Sequence, residues 1–315
     1  MVTITLTTTL KAMLQILALG ACGYFLVKTR LLGRRGLDIL SWLLVHVFLP
    51  CFIFYKLVSF FDFNRFAGWW HIPLIGFGLT AAGFLLGWVM GALDQKFLFK
   101  DEFKALIAFQ NSGYIPFLLI SALPAYQQEH LYVYIFLFII GFDVLLWTLG
   151  VWLLTKSQSP RLEFKRLLNP PLLTIVLTLI LIYFGWHKGV PEGILKATSL
   201  LGKVTLSLAM IVVGGNLATT GLRRINFYDV SLAALTKLIL FPLLVLIVLT
   251  VLKVEPLIGL LVMIETMMPS AVTLAVIGQH YGAPNREFIY QVIFVTHLVS
   301  IVTIPIFLAL CSRLI

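Results

Sequence analysis

The sequence predicts an all-α integral membrane protein of ten transmembrane helices, arranged as two inverted repeats of five. Three observations lead there: the composition, the lengths of the apolar runs, and a matched pair of proline-interrupted helices. Of the 315 residues, 60% are hydrophobic and 11% are charged, whereas soluble domains carry roughly 25% charged residues. The apolar runs reach the ~20 residues that a membrane-spanning helix needs, and in lipid the backbone must satisfy its own hydrogen bonds.

Ten apolar segments separated by short loops account for nearly the whole chain. The predicted helices lie near 8–27, 37–59, 69–92, 102–124, 131–155, 170–186, 195–218, 229–252, 256–279 and 287–310. The first repeat is residues 1–156 and the second is 157–315. Lys28 and the arginines after it follow the first apolar run rather than precede it, so we interpret that run as a membrane helix and not as a signal peptide.

The net charge of +10 could suggest nucleic acid, but the basic residues lie in loops between apolar runs. One set of alternate loops carries 14 Lys and Arg residues and the other carries seven. The richer set is expected to face the cytoplasm. A multi-pass protein of the cell membrane follows, with both termini outside the cytoplasm and no nucleic-acid partner.

An internal repeat relates the two halves. Glu102 and Pro116 recur as Glu255 and Pro269, each shifted by 153 residues, and in both copies an acidic residue opens an apolar helix that a proline interrupts. An odd number of helices per repeat inverts the second copy. Inverted repeats with broken helices at matching positions are typical of secondary transporters.

The fourth helix places three polar residues, Gln110, Asn111 and Ser112, at mid-membrane depth, just before Gly113 and Pro116. Proline removes a helix hydrogen bond and glycine is a poor helix former. Polar groups at that depth are costly and tend to be functional. The plain alternative is a proline kink in which these side chains satisfy the freed backbone.

The ninth helix is interrupted in the same way, by Pro269 between Glu265, Thr266 and Ser270. The break exposes free amides at the start of the second half-helix, an electropositive end that suits anions. Two such breaks crossing at mid-membrane would form one site. We expect it to be lined by residues of both breaks, namely Asn111, Ser112, Gly113, Pro116, Thr266, Pro269 and Ser270.

Several buried ionisable residues are candidates for ion coupling. Glu265 would bind a coupling proton or Na⁺, or else be a structural carboxyl, and Gln110 is a further coupling candidate; beyond a possible Na⁺ near Glu265 the metal is left open. Asp143 and His297 could relay protons or be packed, hydrogen-bonded residues. Lys237 could attract an anion, but a lysine at that depth can also extend to the membrane surface, which we favour.

Four stretches resemble the auxin efflux carrier family, within the wider bile acid–sodium symporter-like superfamily. They are MPSAVTLAVIGQHYGAPNREFIYQVIFVTHLVSIVTIP at 268–305, RLLNPPLLTIVLTLI at 166–180, SLAMIVVGGNLA at 207–218 and QNSGYIP at 110–116. The last stretch departs from the family's commonest form, which has a further glycine before its proline. Here Tyr114 and Ile115 lead straight into Pro116, and this weakens any assignment of a particular substrate.

The resemblance implies a scaffold of helices 1, 2, 6 and 7, and a transport domain of helices 3–5 and 8–10. It implies that helices 4 and 9 cross at their prolines beside the substrate, and that the transport domain slides past the scaffold like an elevator. Family substrates are organic anions such as auxins, malonate and malate. The scaffold would also serve a homodimer.

The sequence therefore predicts a secondary transporter of a small organic anion, with no cofactor beyond a coupling Na⁺ or H⁺. The nearest alternative is a Na⁺-coupled symporter of bulkier amphipathic anions. More remote alternatives are a membrane sensor or receptor and an intramembrane enzyme. The motifs HExxH, GxSxG and GxxxxGK[ST] are absent from the sequence, so we do not expect an enzyme.

Overall fold

A computed structural model describes residues 6–94, 97–155, 168–219, 227–280 and 283–314, with side chains from residue 10 onward. The regular elements in these ranges are helical. The longer helices are α1 (Leu6–Lys28), α2 (Arg34–Phe60), α3 (His71–Leu93), α4 (Lys100–Ala108), α5 (Tyr114–Ser121), α6 (Ala125–Thr155), α7 (Pro170–Tyr183), α8 (Glu192–Thr219), α9 (Phe227–Leu252), α10 (Pro256–Thr266), α11 (Val272–His280) and α12 (Arg286–Leu314).

Seven of these helices are long and apolar enough to cross a membrane: α1, α2, α3, α6, α8, α9 and α12. The other three predicted spans are present as shorter helices. The sixth is α7, 14 residues long. The fourth is divided into α4 and α5, and the ninth into α10 and α11. The boundary between the predicted repeats, at 156/157, lies outside the described residues, as do the basic residues of 156–167 and 220–226 and Lys96.

Glycine allows two pairs of helices to pack with their backbones in contact. A Cβ at Gly214 of α8 would overlap the carbonyl oxygen of Gly20 of α1. Likewise, a Cβ at Gly141 of α6 would overlap the carbonyl oxygen of Pro73 of α3. Small residues let membrane helices approach this closely. Further packing joins α2 to α7 and α8, and joins α9 to α10 and α12.

The break in the fourth helix lies upstream of the proline that predicted it. The chain leaves helical geometry at Phe109 and re-enters it at Tyr114, so Pro116 is the third residue of α5. A proline in the first turn of a helix costs no hydrogen bond, because that amide has no partner within the helix. The prediction that Pro116 interrupts the fourth helix is therefore wrong, because the non-helical segment is the polar run before this proline. In the ninth helix Pro269 does lie inside the break.

Three long helices each contain one five-residue segment of π-helix: Leu44–Phe48 in α2, Leu146–Gly150 in α6 and Thr236–Leu240 in α9. Such segments are frequent at functional sites. They carry His46, Trp147 and Lys237, and two of these side chains prove to line the main cavity.

Candidate functional site

The two helix breaks cross and are joined by backbone hydrogen bonds. The amide of Asn111 donates to the carbonyl of Pro269 at 2.8 Å, and the amide of Ala271 donates to the carbonyl of Phe109 at 2.9 Å. Gln110 and Ser270 thus form an isolated antiparallel bridge between segments about 160 residues apart. The N–H and C=O groups that have no helical partner in one break are thus bonded by the other break, as buried backbone groups require.

The exposed carbonyls at the end of α4 are bonded by two side chains from other helices. The Ser270 hydroxyl donates to the carbonyl of Leu106 at 2.8 Å, and the Lys237 ammonium donates to the carbonyl of Ile107 at 2.7 Å. A cation at a helix C-terminus is electrostatically favourable. Lys237 is 0% exposed, so the expectation that it extends to the membrane surface is wrong: the free carbonyls of α4 hold it inside.

A sealed polar cluster, made of Gln110, Glu265 and Lys237, lies behind the crossing. All three side chains are 0% exposed. The Nε2 atom of Gln110 lies 3.5 Å from Oε2 of Glu265. Among the described residues, Oε1 of Gln110, Oε1 of Glu265 and the hydroxyl of the nearby Ser112 have no hydrogen-bond partner. Buried oxygens left unpaired in this way are costly, so they are candidate ligands for a proton or a cation.

His297 fixes the amide side chain of Asn111. Nδ1 of His297 lies 2.8 Å from the carbonyl of Ile293, and its Nε2 lies 3.4 Å from Nδ2 of Asn111. A carbonyl only accepts, so Nδ1 carries the hydrogen and Nε2 accepts from Asn111. Oδ1 of Asn111 accepts the backbone amide of Tyr114 at 3.2 Å. These contacts favour a packed, orienting histidine over the proton relay that we considered.

A cavity of about 870 Å³ lies on the other side of the crossing. Both second half-helices begin at it: α5 with Gly113 and Tyr114, and α11 with Val272 and Thr273. Helix N-termini present unpaired amides and a partial positive charge. Two of them at one cavity make a site suited to an anionic group.

The cavity opens toward one end of the bundle and is closed at the other. Its lining includes Arg34 at the start of α2, Thr219 at the end of α8 and His280 at the end of α11. Ile53 and Phe117 line the opposite end. Beyond them the ring of Phe52 packs against Phe117, Tyr132 and Phe136, with centroids 5.5, 5.3 and 5.9 Å apart. The open end is the one whose loops carry the larger number of Lys and Arg residues in the sequence.

Of the predicted coupling residues, Asp143 is the one whose carboxylate lines the cavity wall. Its side chain is 7% exposed and accepts a hydrogen bond from Nδ2 of Asn169 at 2.7 Å. Asn169 in turn caps α7, because its Oδ1 accepts the amide of Leu172 at 2.9 Å. One turn along α6 is Trp147, whose indole Nε1 is buried and has no hydrogen-bond partner in the part of the chain that the structure describes.

The predicted substrate residues divide between the two sides of the crossing. Asn111, Ser112 and Gly113 line the cavity, and so does Gln110 of the sealed polar cluster. Pro116, Thr266, Pro269 and Ser270 are buried and do not line it, nor do Glu265, Lys237 and His297. The sequence reasoning missed Thr273, Asn169, Trp147, Trp42 and His46, all of which line the cavity. The capping pattern Asn-Pro-Pro at 169–171 was the one available signal.

Crossed helix breaks beside a large cavity define a class of protein, the membrane transporters with interrupted helices. The model of the family described as "Membrane transport protein" matches residues 8–164 and 159–308. The chain belongs to this family, and the resemblance to the auxin efflux carriers is confirmed.

Two relatives carry the same general description. An uncharacterised transporter of Methanocaldococcus jannaschii is 25% identical over 302 residues, which cover 93% of this chain and 96% of that protein. An uncharacterised transporter of Schizosaccharomyces pombe is 27% identical over 120 residues, which cover 38% of this chain and 26% of that protein. The chain is therefore a multi-pass membrane transporter.

Proposed function

We propose that the protein is a secondary transporter of small organic acids, which binds the substrate's carboxylate at the start of α5 and α11. The observation that carries the proposal is the crossing itself: two interrupted helices present their second half-helices, and the fixed amide of Asn111, to one cavity. Amides at helix N-termini are a ready-made site for a carboxylate.

Alternating access by an elevator movement fits the packing. The proposed scaffold is α1, α2, α7 and α8, and the proposed transport domain is formed by the remaining helices. In this arrangement the two halves are inverted repeats, α4–α5 and α10–α11 are matching spans, and the chain crosses the membrane ten times. The cavity lies where the proposed scaffold meets the transport domain, with Trp42 on one side and Trp147 on the other.

The state described here is open toward the cytoplasm, if the basic loops lie on that side. In the cell membrane both termini would then lie outside the cytoplasm, and the scaffold helices would be available to form a homodimer. The aromatic cluster around Phe52 would close the site to the outside.

The sealed polar cluster is the proposed site of ion coupling. Gln110, Ser112 and Glu265 each have a buried side-chain oxygen without a hydrogen-bond partner among the described residues. A proton bound by Glu265 would supply a hydrogen-bond donor to these oxygens, whereas Na⁺ would be coordinated by them. Lys237 supplies a positive charge at the neighbouring end of α4. We assign to Glu265 the role of accepting the coupling ion.

A larger amphipathic anion is the second candidate for the substrate. The cavity volume of about 870 Å³ and its many apolar lining residues favour it, because ligand sites of 300–1,000 Å³ enclose drug-sized molecules. A small dicarboxylate would fill only part of this space.

The test is a thermal-shift screen of the purified protein against mono- and dicarboxylates, with and without Na⁺, at two pH values. We expect at least one carboxylate to raise the unfolding temperature, and Asn111→Ala to abolish that rise. Stabilisation by neutral compounds alone would overturn the proposal. Asn64→Ala, in the exposed loop 61–70, is the matched control and should keep the response.

A further inference from the structure

Part of the cavity wall is formed by a carboxyl group, Asp143, whose ionised form would repel the carboxylate of a plain organic acid. Asp143 is 7% exposed, and its described hydrogen-bond partner is the neutral amide of Asn169. Among the described residues that line the cavity, Arg34 is the single Lys or Arg, and it lies at the open end. An ionised Asp143 would therefore repel a second carboxylate brought to the middle of the cavity.

The same wall is also lined by aromatic rings. Phe142 precedes Asp143, and Trp147 lies one turn further along α6; both line the cavity. Aromatic rings attract ammonium groups, and the attraction grows when water is excluded. A carboxylate flanked by such rings is the environment in which proteins bind organic cations.

Asn169 holds this carboxylate in place. Its amide oxygen is committed to capping α7, so its Nδ2 must face Asp143. The bond occupies Oδ2, and Oδ1 is the second acceptor atom of this carboxylate. The indole N–H of Trp147 is buried and has no acceptor among the described residues. The wall thus offers both an acceptor and an unused donor to a ligand.

We propose that the transported molecule is a zwitterion, an amino acid or a closely related amino-carboxylate. Its carboxylate binds at the N-termini of α5 and α11, and its ammonium binds on the Asp143 wall. This inference rests on the proposed function, because it takes the carboxylate site as given. It adds a second charged subsite and makes the substrate electrically neutral overall.

The test uses pairs of ligands that differ by the ammonium group: leucine with 4-methylpentanoate, tryptophan with indole-3-propionate, and 6-aminohexanoate with hexanoate. The third pair covers a wider separation of the two charges. Binding of each compound to the purified full chain is measured by calorimetry. We expect the amino member of at least one pair to bind more than about tenfold tighter, as a hydrogen bond to a charged group predicts.

Asp143→Asn keeps the side-chain shape and an oxygen for Asn169 but removes the charge. We expect it to abolish the preference for the amino member while leaving binding of the plain acid intact or stronger. Asp38→Asn is the control, because Asp38 is a cavity-lining carboxylate that is exposed at the open end; it should keep the wild-type preference.

The outcomes separate the two proposals. If plain acids bind and no amino member binds tighter, the zwitterion inference fails and the carboxylate site stands. If Asp143→Asn leaves the preference unchanged, the assigned subsite is wrong. If no member of any pair binds, the zwitterion inference fails, and the carboxylate screen alone decides the proposed function. The wild-type comparison does not depend on any variant being stable.

Discussion

The two sides of the helix crossing differ in what their polar groups face. On one side Asn111 is held rigidly by His297 and Tyr114 and lines a large cavity. On the other side Glu265 and Lys237 are sealed from solvent, while Gln110, which is 0% exposed, borders the cavity and extends its amide toward Glu265. Within the described part of the chain, Oε1 of Gln110 and Oε1 of Glu265 have no hydrogen-bond partner. Neighbouring residues of one backbone segment supply both sides, so the proposed substrate site and the proposed coupling site would be distinct but would move together.

The largest expected effect is on stability and comes from replacing Lys237, the positively charged residue of the sealed polar cluster. In Lys237→Met the carbonyl of Ile107 loses its donor and Glu265 loses a nearby positive charge. Breaking a buried charged contact costs about 3 kcal/mol. We expect the free energy of unfolding in detergent, measured by chemical denaturation, to fall by that amount.

Lys196→Met is the matched control for this change, since Lys196 forms an exposed ion pair with Glu192. Exposed pairs contribute little to stability. Equal losses in the two variants would contradict the assignment of Lys237 as a bonded, sealed cation.

A smaller effect is expected on the cavity side. His297→Phe removes the acceptor that orients the amide of Asn111, so we expect carboxylate binding to weaken about tenfold, or about 1.4 kcal/mol. Calorimetry with the carboxylate identified by the screen measures it. Ser300→Ala, one turn along α12, removes a hydrogen bond that does not involve the His297 ring. If it weakens binding as much as His297→Phe does, the orienting role is excluded.

The smallest effect on substrate affinity is expected from Glu265→Gln. This variant is the sharpest test of the difference between the two sides of the helix crossing. The residue does not line the cavity, so the substrate should bind as in the wild type and exchange across proteoliposomes should continue. Accumulation driven by a Na⁺ or proton gradient should be lost. Accumulation that persists at the wild-type level, with an unchanged ion response, would show that the sealed cluster does not couple.

Part of the site was predictable because local chemistry determines it. The run Gln110–Gly113 is unfavourable in a helix, and Pro269 removes a backbone donor, so an interruption of both helices could be predicted from the sequence. The side of the crossing to which each residue belongs was not visible. Thr266 and Ser270 have the same polarity as Ser112, yet their hydroxyls bond to the carbonyls of Val262 and Leu106 and lie away from the cavity.

Lys237 and Asn169 also make contacts with distant segments that the sequence could not predict. A lysine two turns into a helix can extend to the surface or turn inward. The choice depends on a free carbonyl at Ile107, 130 residues away in the chain. The cap at Asn169 follows from the local Asn-Pro-Pro pattern, but its second bond, to Asp143, requires α6 and α7 to meet.

The sequence by itself determined that the chain lies in a membrane, where its helices run and that two of them are interrupted, because hydropathy, loop charge and proline act over a few residues. Only the tertiary structure decided how the breaks pair and which polar groups are sealed. It also decided that Asp143, Asn169 and Trp147 share a cavity wall, because these contacts join segments that the chain brings together only when it folds.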